Sequence, residues 1–191
     1  MRKHASVAMV FVITGPSGVG KGTMIRELQR RIPGLELSVS ATTRPPRAGE
    51  RDGVAYHFMT PEQFADRVAA GDFVEHAEYS GNRYGTLRSE LQGRVAEGVP
   101  VVLEIDVQGA RQLREQLPDA VQVFVAPPSP EVLRTRLARR GTDSGEQVEQ
   151  RLQTADAELA AQAEFAHVVV NDKLQAAVEE LTQIVSGELD G

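Results

Sequence analysis

Gly15-Pro16-Ser17-Gly18-Val19-Gly20-Lys21-Gly22-Thr23 constrains this chain more than any other segment. An unbroken apolar run, Val7-Ala8-Met9-Val10-Phe11-Val12-Ile13, leads into it, and Met24, Ile25, Leu28 and Ile32 follow at helical spacing. Strand, glycine-rich turn, Gly-Lys and helix form the context that makes a short motif a phosphate site. Glycines let backbone N–H groups converge where side chains would collide. The helix N-terminus adds free donors and a partial positive charge. Lys21 brings a full charge to the terminal phosphates of a nucleotide.

One position departs from the usual pattern, which sets Ser or Thr directly after the lysine to ligate magnesium. That position is Gly22, and the hydroxyl arrives one residue later at Thr23. One residue along a helix turns a side chain by about 100°, so Thr23 is not a simple substitute. Adenylate kinases resemble the chain here, with Gly-Thr after their lysine. The loop reads as phosphate-binding, and the direct magnesium ligand stays open.

The apolar runs at 7–13, 101–105, 121–125 and 168–170 read as strands buried on both faces, as in a parallel sheet. Helical patterns alternate with them. Leu87, Leu91 and Val95 form one, with Thr86 as N-cap and Gly98 as stop. Ala110, Leu113 and Leu117 form another. Ser129-Pro130 opens a third, and Ser144 with Gln147 fits a capping box. This alternation is the α/β class. Residues 36–84 break it. They are polar, with short strands expected at 37–40, 55–59 and 73–79 around a helix opened by Thr60-Pro61. Tyr56, Phe58, Phe64 and Phe73 mark an inserted subdomain, not a linker.

With 191 residues the chain suffices for one domain with insertions. It has no cysteine, which excludes disulfides and thiolate metal sites. Acids outnumber bases 27 to 21, a net charge of −6, which argues against a broad nucleic-acid surface. A small anion in a local arginine pocket is compatible with that charge. No apolar run is long enough to span a bilayer. Met1-Arg2-Lys3-His4 before Val7 faintly resembles a secretory leader. The run flows straight into the phosphate loop, however, so a core strand and a cytoplasmic location are expected.

Four further groups carry chemistry. Arg44 and Arg47 lie in a proline-stiffened loop after Ser40, and two guanidinium forks suit a phosphate dianion. Glu75 lies near the hydroxyls of Tyr79, Tyr84 and Thr86. It is either a solvated strand edge or a carboxylate that accepts from guanine N1–H and 2-amino together. Glu104 and Asp106 end an apolar strand two residues apart, where ligands bind in open α/β sheets. That position favours a magnesium-side role. Arg136 and Arg140 share a helix face, and Arg151 sits on the next helix, the form of a closing lid. Asn171-Asp172 follows the last strand, within reach of a base.

Together these residues resemble the guanylate kinase family, over nearly the whole chain from Val12 to about Leu181. The specific pieces are Gly-Pro-Ser-Gly-Val-Gly-Lys and the stretch Ser38 to Glu50, Ser-Val-Ser-Ala-Thr-Thr-Arg-Pro-Pro-Arg-Ala-Gly-Glu. Tyr-Ser-Gly-Asn-Arg-Tyr-Gly-Thr from Tyr79 and Leu-Glu-Ile-Asp-Val-Gln-Gly from Leu103 follow, then Ala-Pro-Pro-Ser from Ala126 and Arg-Arg-Gly-Thr from Arg139. The resemblance implies in-line phosphoryl transfer from ATP, the co-substrate, to GMP, free of any covalent enzyme intermediate, with Mg2+. It implies a P-loop core with a five-stranded parallel sheet flanked by helices, a mixed α+β GMP-binding subdomain and a helical lid. The expected divisions are core 1–38, GMP-binding subdomain 39–88, core 89–130, lid 131–155 and core 156–191.

By the same resemblance Ser40, Arg44, Arg47, Tyr56 and Tyr84 hold the GMP phosphate, and Glu75, Thr86 and Asp106 read guanine. Gly15 to Thr23 (Lys21 above all) hold ATP phosphates, with Asn171 near adenine. Lys21, Arg47, Arg136, Arg140 and Arg151 serve the transfer. Gly22 stands where most members have Ser, and Glu104 where many have Asp. Magnesium is then held mainly by phosphates and waters, with Glu104 or Asp106 in an outer shell. Acceptance of dGMP stays open, and no nucleic acid, membrane or obligate protein partner is expected. A non-catalytic interaction module resembles the fold but tends to lose the loop that is intact here. A kinase for another phosphorylated acceptor would not need Glu75 and Thr86.

Overall fold

A computed structural model describes residues 9–138 and 145–190 and, within these, all side chains except those of 145–152. In chain order the first elements are β1 (Val10–Thr14), α1 (Lys21–Arg31), β2 (Glu36–Leu37), β3 (Ala41–Thr42) and β4 (His57–Phe58). Then come α2 (Pro61–Ala69), β5 (Phe73–Tyr79), β6 (Asn82–Leu87), α3 (Arg88–Ala96), β7 (Val101–Glu104) and α4 (Val107–Gln116). The last are β8 (Val121–Ala126), α5 (Pro130–Ala138), α6 (Gly145–Ala160), β9 (His167–Val170) and α7 (Leu174–Asp190).

Five strands form an all-parallel sheet in the order β2-β7-β1-β8-β9. Along β1, Phe11 and Ile13 pack on one face with Met24, Leu28 and Val178. Val10 and Val12 pack on the other with Leu103, Ala110 and Leu113. With both faces covered, the central strands read as continuous apolar runs. The fifth strand, β2, lies at the edge. The sequence places a strand at 37–40 in the insertion; instead Glu36 and Leu37 pair with Val101 and Val102 of the main sheet. Glu36 is exposed, so no apolar run announces this strand.

A second, mixed sheet has the order β4-β3-β6-β5. Its small core is Ala41, Phe64, Phe73 and Leu87, with the Phe64 and Phe73 rings stacked at 4.5 Å. Strand β6 is absent from the sequence reading because Asn82-Arg83-Tyr84-Gly85-Thr86 has little apolar pattern. It pairs antiparallel with β5 through a turn at Ser80 and Gly81, both at positive φ. The residue capping α3 is Leu87, without a side-chain bond, and not Thr86, which lies buried in β6. Helix α2 carries a full capping box from Thr60 and Gln63. The Gln112 amide of α4 both accepts from His76 N (3.1 Å) and donates to His76 O (2.7 Å), tying the second sheet to the core.

Candidate active site

The glycine-rich loop joins β1 to α1 with its backbone pressed against β8. At Gly15 φ is +134°, and a Cβ there would lie 2.2 Å from Val125 O. No other residue fits without moving the strand. Gly20 caps α1 at φ 103°. The Lys21 ammonium curls over the loop and donates to Gly15 O and to Pro16 O, the latter at 3.2 Å. Behind the loop, Asn171 Nδ2 donates to Val19 O at 2.8 Å. Arg136 donates to Asn171 O at 3.0 Å and to Val19 O at 3.5 Å. Both residues therefore brace the loop from its far side. Thr23 is exposed, and its hydroxyl accepts from Arg26 at 3.1 Å.

Between this loop and the second sheet lies a cavity of about 320 Å³. Its lining includes Ser17 and Lys21 from the loop, Ser40, Arg44, Arg47, Tyr56, Glu75 and Tyr84 from the insertion, and Glu104, Asp106 and Glu158 from the core. One part is cationic. Arg44 Nη2 contacts both Glu50 oxygens, at 2.9 and 3.0 Å, and its guanidinium lies 5.2 Å from the Tyr56 ring centre. Glu50 also accepts from Arg47 N at 2.7 Å. The Arg44 hydrogen bond, then that of Arg47 N, holds the Glu50 carboxyl below its usual range. The Arg47 residue itself is exposed.

Another part is acidic and buried. Glu75 is only 3% exposed, and Thr86 Oγ1 donates to its Oε1 at 2.7 Å. Gly109 makes room for the other oxygen, since a Cβ there would lie 2.3 Å from Glu75 Oε2. Burial pushes this carboxyl up to about 7, the Thr86 bond pulls it partly back, and nearby Asp106 raises it further. Asp106 caps α4 by accepting from Gly109 N at 2.8 Å, and burial raises its own carboxyl.

Glu104 differs from both. It ends β7 opposite Ile13, the residue before Thr14 and the loop, and it is exposed. A Cβ at Gly22 would sit 3.2 Å from Glu104 Oε2. Among the described residues no group of three or more His, Asp or Glu is placed to hold a metal alone. The site nonetheless fits magnesium, which takes one or two carboxylates beside substrate phosphates and keeps several waters. Glu104 supplies such a hard oxygen beside the loop.

Glu158 of α6 is the residue that sequence reasoning missed. It is 8% exposed, and within the described residues its Oε2 has no hydrogen-bond partner. Burial pushes it up to about 7 despite the opposing Lys21 charge. A signal existed: Glu158 falls three residues from each of Ala155 and Ala161, both buried. Of the other expected residues, seven from the GMP set share the cavity, and Thr86 stands behind Glu75. Arg140, Gly141, Thr142 and Ser144 lie outside the described residues, as does the Arg151 side chain.

A family model described as guanylate kinase matches residues 8–188. A guanylate kinase of Synechococcus sp. (strain CC9311) is 51% identical over 181 residues, 95% of each chain. The crystal structure of guanylate kinase from Anaplasma phagocytophilum superposes with a TM-score of 0.78 at 32% identity, covering 96% of this chain and 87% of that one. Shikimate kinase from Bacteroides thetaiotaomicron shares the fold, with a TM-score of 0.55 at 17% identity over 93% of this chain and 98% of that one.

Proposed function

The chain belongs to the guanylate kinase family, and we propose on that premise how its own residues phosphorylate GMP with ATP. A GMP phosphate oxygen attacks the γ-phosphorus in line, the bond to the β–γ bridging oxygen breaks, and ADP and GDP result. The acceptor is already an oxyanion, so no strong base is needed. Catalysis rests on positioning and charge neutralisation.

The observation that carries the acceptor assignment is the buried Glu75 carboxylate, held on one oxygen by Thr86. Ionised, it accepts from guanine N1–H and the 2-amino group, a donor pair adenine lacks. Asp106 assists at the same base. Ser40, Arg44, Arg47, Tyr56 and Tyr84 hold the GMP phosphate, with Glu50 fixing the fork of Arg44. The loop from Gly15 to Thr23 holds ATP phosphates, Lys21 leaving its carbonyl partners to meet them. Arg136 and Asn171 keep the loop in shape and place Asn171 beside the nucleotide. Arg140 and Arg151 close a lid, residues 131–155, over a GMP-binding subdomain, residues 39–88. Glu104 and Asp106 are the residues that would hold the shell of magnesium, which when bound would supply charge neutralisation to the nucleotide phosphates. A cytoplasmic location belongs to the same proposal; among the described residues no helix is long and apolar enough to cross a membrane.

Inosine monophosphate tests the base reader, because it keeps N1–H and lacks the 2-amino group. Its kcat/KM is expected to fall about tenfold or more below that of GMP, as for a site left with an unmet polar group. Glu75→Gln should shrink that gap. Equal use of the two nucleotides by the wild type contradicts the role of Glu75.

A further inference from the structure

A carboxyl buried without a full set of partners is costly, and Glu158 is one. It stands on the last turn of α6, between Ala155 and Ala161, which pack into the core. The helix therefore carries Glu158 on its buried side. The residue is 8% exposed, and its Oε2 has no hydrogen-bond partner among the described residues. It lines the cavity beside Ser17 and Lys21 of the phosphate loop and Asp106 of the α4 cap. Among the described residues, these same three act on it. The Ser17 backbone N–H hydrogen-bonds the carboxyl, Lys21 attracts its charge and Asp106 repels it. The Lys21 ammonium is turned onto the carbonyls of Gly15 and Pro16 instead of onto Glu158. Burial outweighs the rest and pushes the carboxyl up to about 7. A carboxyl kept neutral has an O–H to donate.

This end of the cavity is built for phosphate, since loop N–H groups and Lys21 mark it. An ionised carboxylate would repel a phosphate there, whereas a carboxylic acid donates to one. We propose that Glu158 is a further substrate-binding residue, donating from Oε2 to an oxygen of the terminal phosphate of the nucleotide held by the loop. This deepens the reading of the loop as the ATP site and rests on it. The Ser17 N–H occupies the accepting side of the carboxyl and leaves Oε2 to the ligand. Because α6 also carries Arg151, the contact ties a helix of the proposed lid to the phosphoryl group that moves. A residue kept only for packing has the opposite signature, because removing an unmet buried acid stabilises a fold.

The test is the affinity for ATP and ADP, each with magnesium, and for GMP alone, by calorimetry in wild type, Glu158→Gln, Glu158→Met and Glu158→Leu. All three variants remove the buried acid at similar volume, so their thermal melts are expected at or above that of wild type. Glu158→Met and Glu158→Leu have no donor. They should lower the ATP-to-ADP affinity ratio about tenfold or more, the scale of one hydrogen bond to a charged group, while GMP affinity holds. Glu158→Gln keeps an N–H donor beside an accepting oxygen and should hold the ratio within about threefold of wild type. An unchanged ratio in the donor-free variants, an equal loss in Glu158→Gln, or a loss that falls on ADP or GMP instead overturns the proposal. ATP affinity of the wild type reports separately on the loop: if it is absent, that reading fails and the role of Glu158 with it.

Discussion

The proposed acceptor side and the proposed donor side of this site are built on opposite terms. On that acceptor side, groups are fixed by hydrogen bonds to or from side chains: Thr86 to Glu75, Arg44 to Glu50, Gly109 N to Asp106. On the donor side the loop is shaped by its own backbone, and its one ammonium is turned onto Gly15 and Pro16 carbonyls. Reading a base needs buried polar groups whose loss of a partner is costly. Holding phosphate needs only convergent N–H groups and charge. On the proposed assignment the first half is selective and stiff, and the second is general and has its lysine to rearrange.

The sharpest way to break this comparison is to damage one half and watch the other. Lys21→Met should lower kcat at least about a hundredfold, the scale for removing a preorganised electrostatic donor. GMP affinity by calorimetry should stay close to wild type. Arg47→Ala should act the other way and raise KM for GMP about ten- to a hundredfold, hydrogen bonds to charged groups being worth roughly 1.5–3 kcal/mol, with kcat less affected. Arg140→Ala and Arg151→Ala should lower turnover more than GMP use. Steady-state kinetics in both substrates separates these outcomes, and equal damage to both parameters at every site would erase the division.

Glu158 sits between the halves and gives a smaller effect. Burial raises its folded-state carboxyl from 4.5 to about 7, so folding favours the protonated form. The stability this contributes is complete below about 4.5 and is lost as pH rises through about 7. Glu158→Gln keeps the volume without the charge. It should raise unfolding free energy by roughly 1–3 kcal/mol at pH 8 and much less at pH 5, read by denaturant titration at both. An equal gain at the two pH values would assign the effect to packing.

The same contrast decides what could be read in the sequence. The phosphate loop was legible because its chemistry is local: nine consecutive residues between a buried strand and a helix. The α/β class followed from apolar runs that are buried on both faces. Glu75 groups in sequence with the hydroxyls of Tyr79, Tyr84 and Thr86 but is not told there from a solvated strand edge, because Thr86 lies across a hairpin whose second strand lacks an apolar pattern. Thr86 itself read as a helix cap. Glu50 belongs to the motif that starts at Ser38, yet its grip on Arg44 depends on how the loop folds back. Asn171 was expected by its position after a strand, but only the structure turns its amide onto Val19 O. Local pattern reports backbone chemistry well, and long-range pairing of side chains poorly.

The central claim is that a selective guanine reader faces a general phosphate loop. ADP release from ATP and magnesium across GMP, dGMP, AMP, UMP, CMP and ribose bisphosphate tests it most directly. The account predicts strong turnover with GMP, weaker turnover with dGMP and little with the rest. Comparable turnover with AMP or a sugar phosphate, or nucleotide binding without transfer to any acceptor, would contradict it.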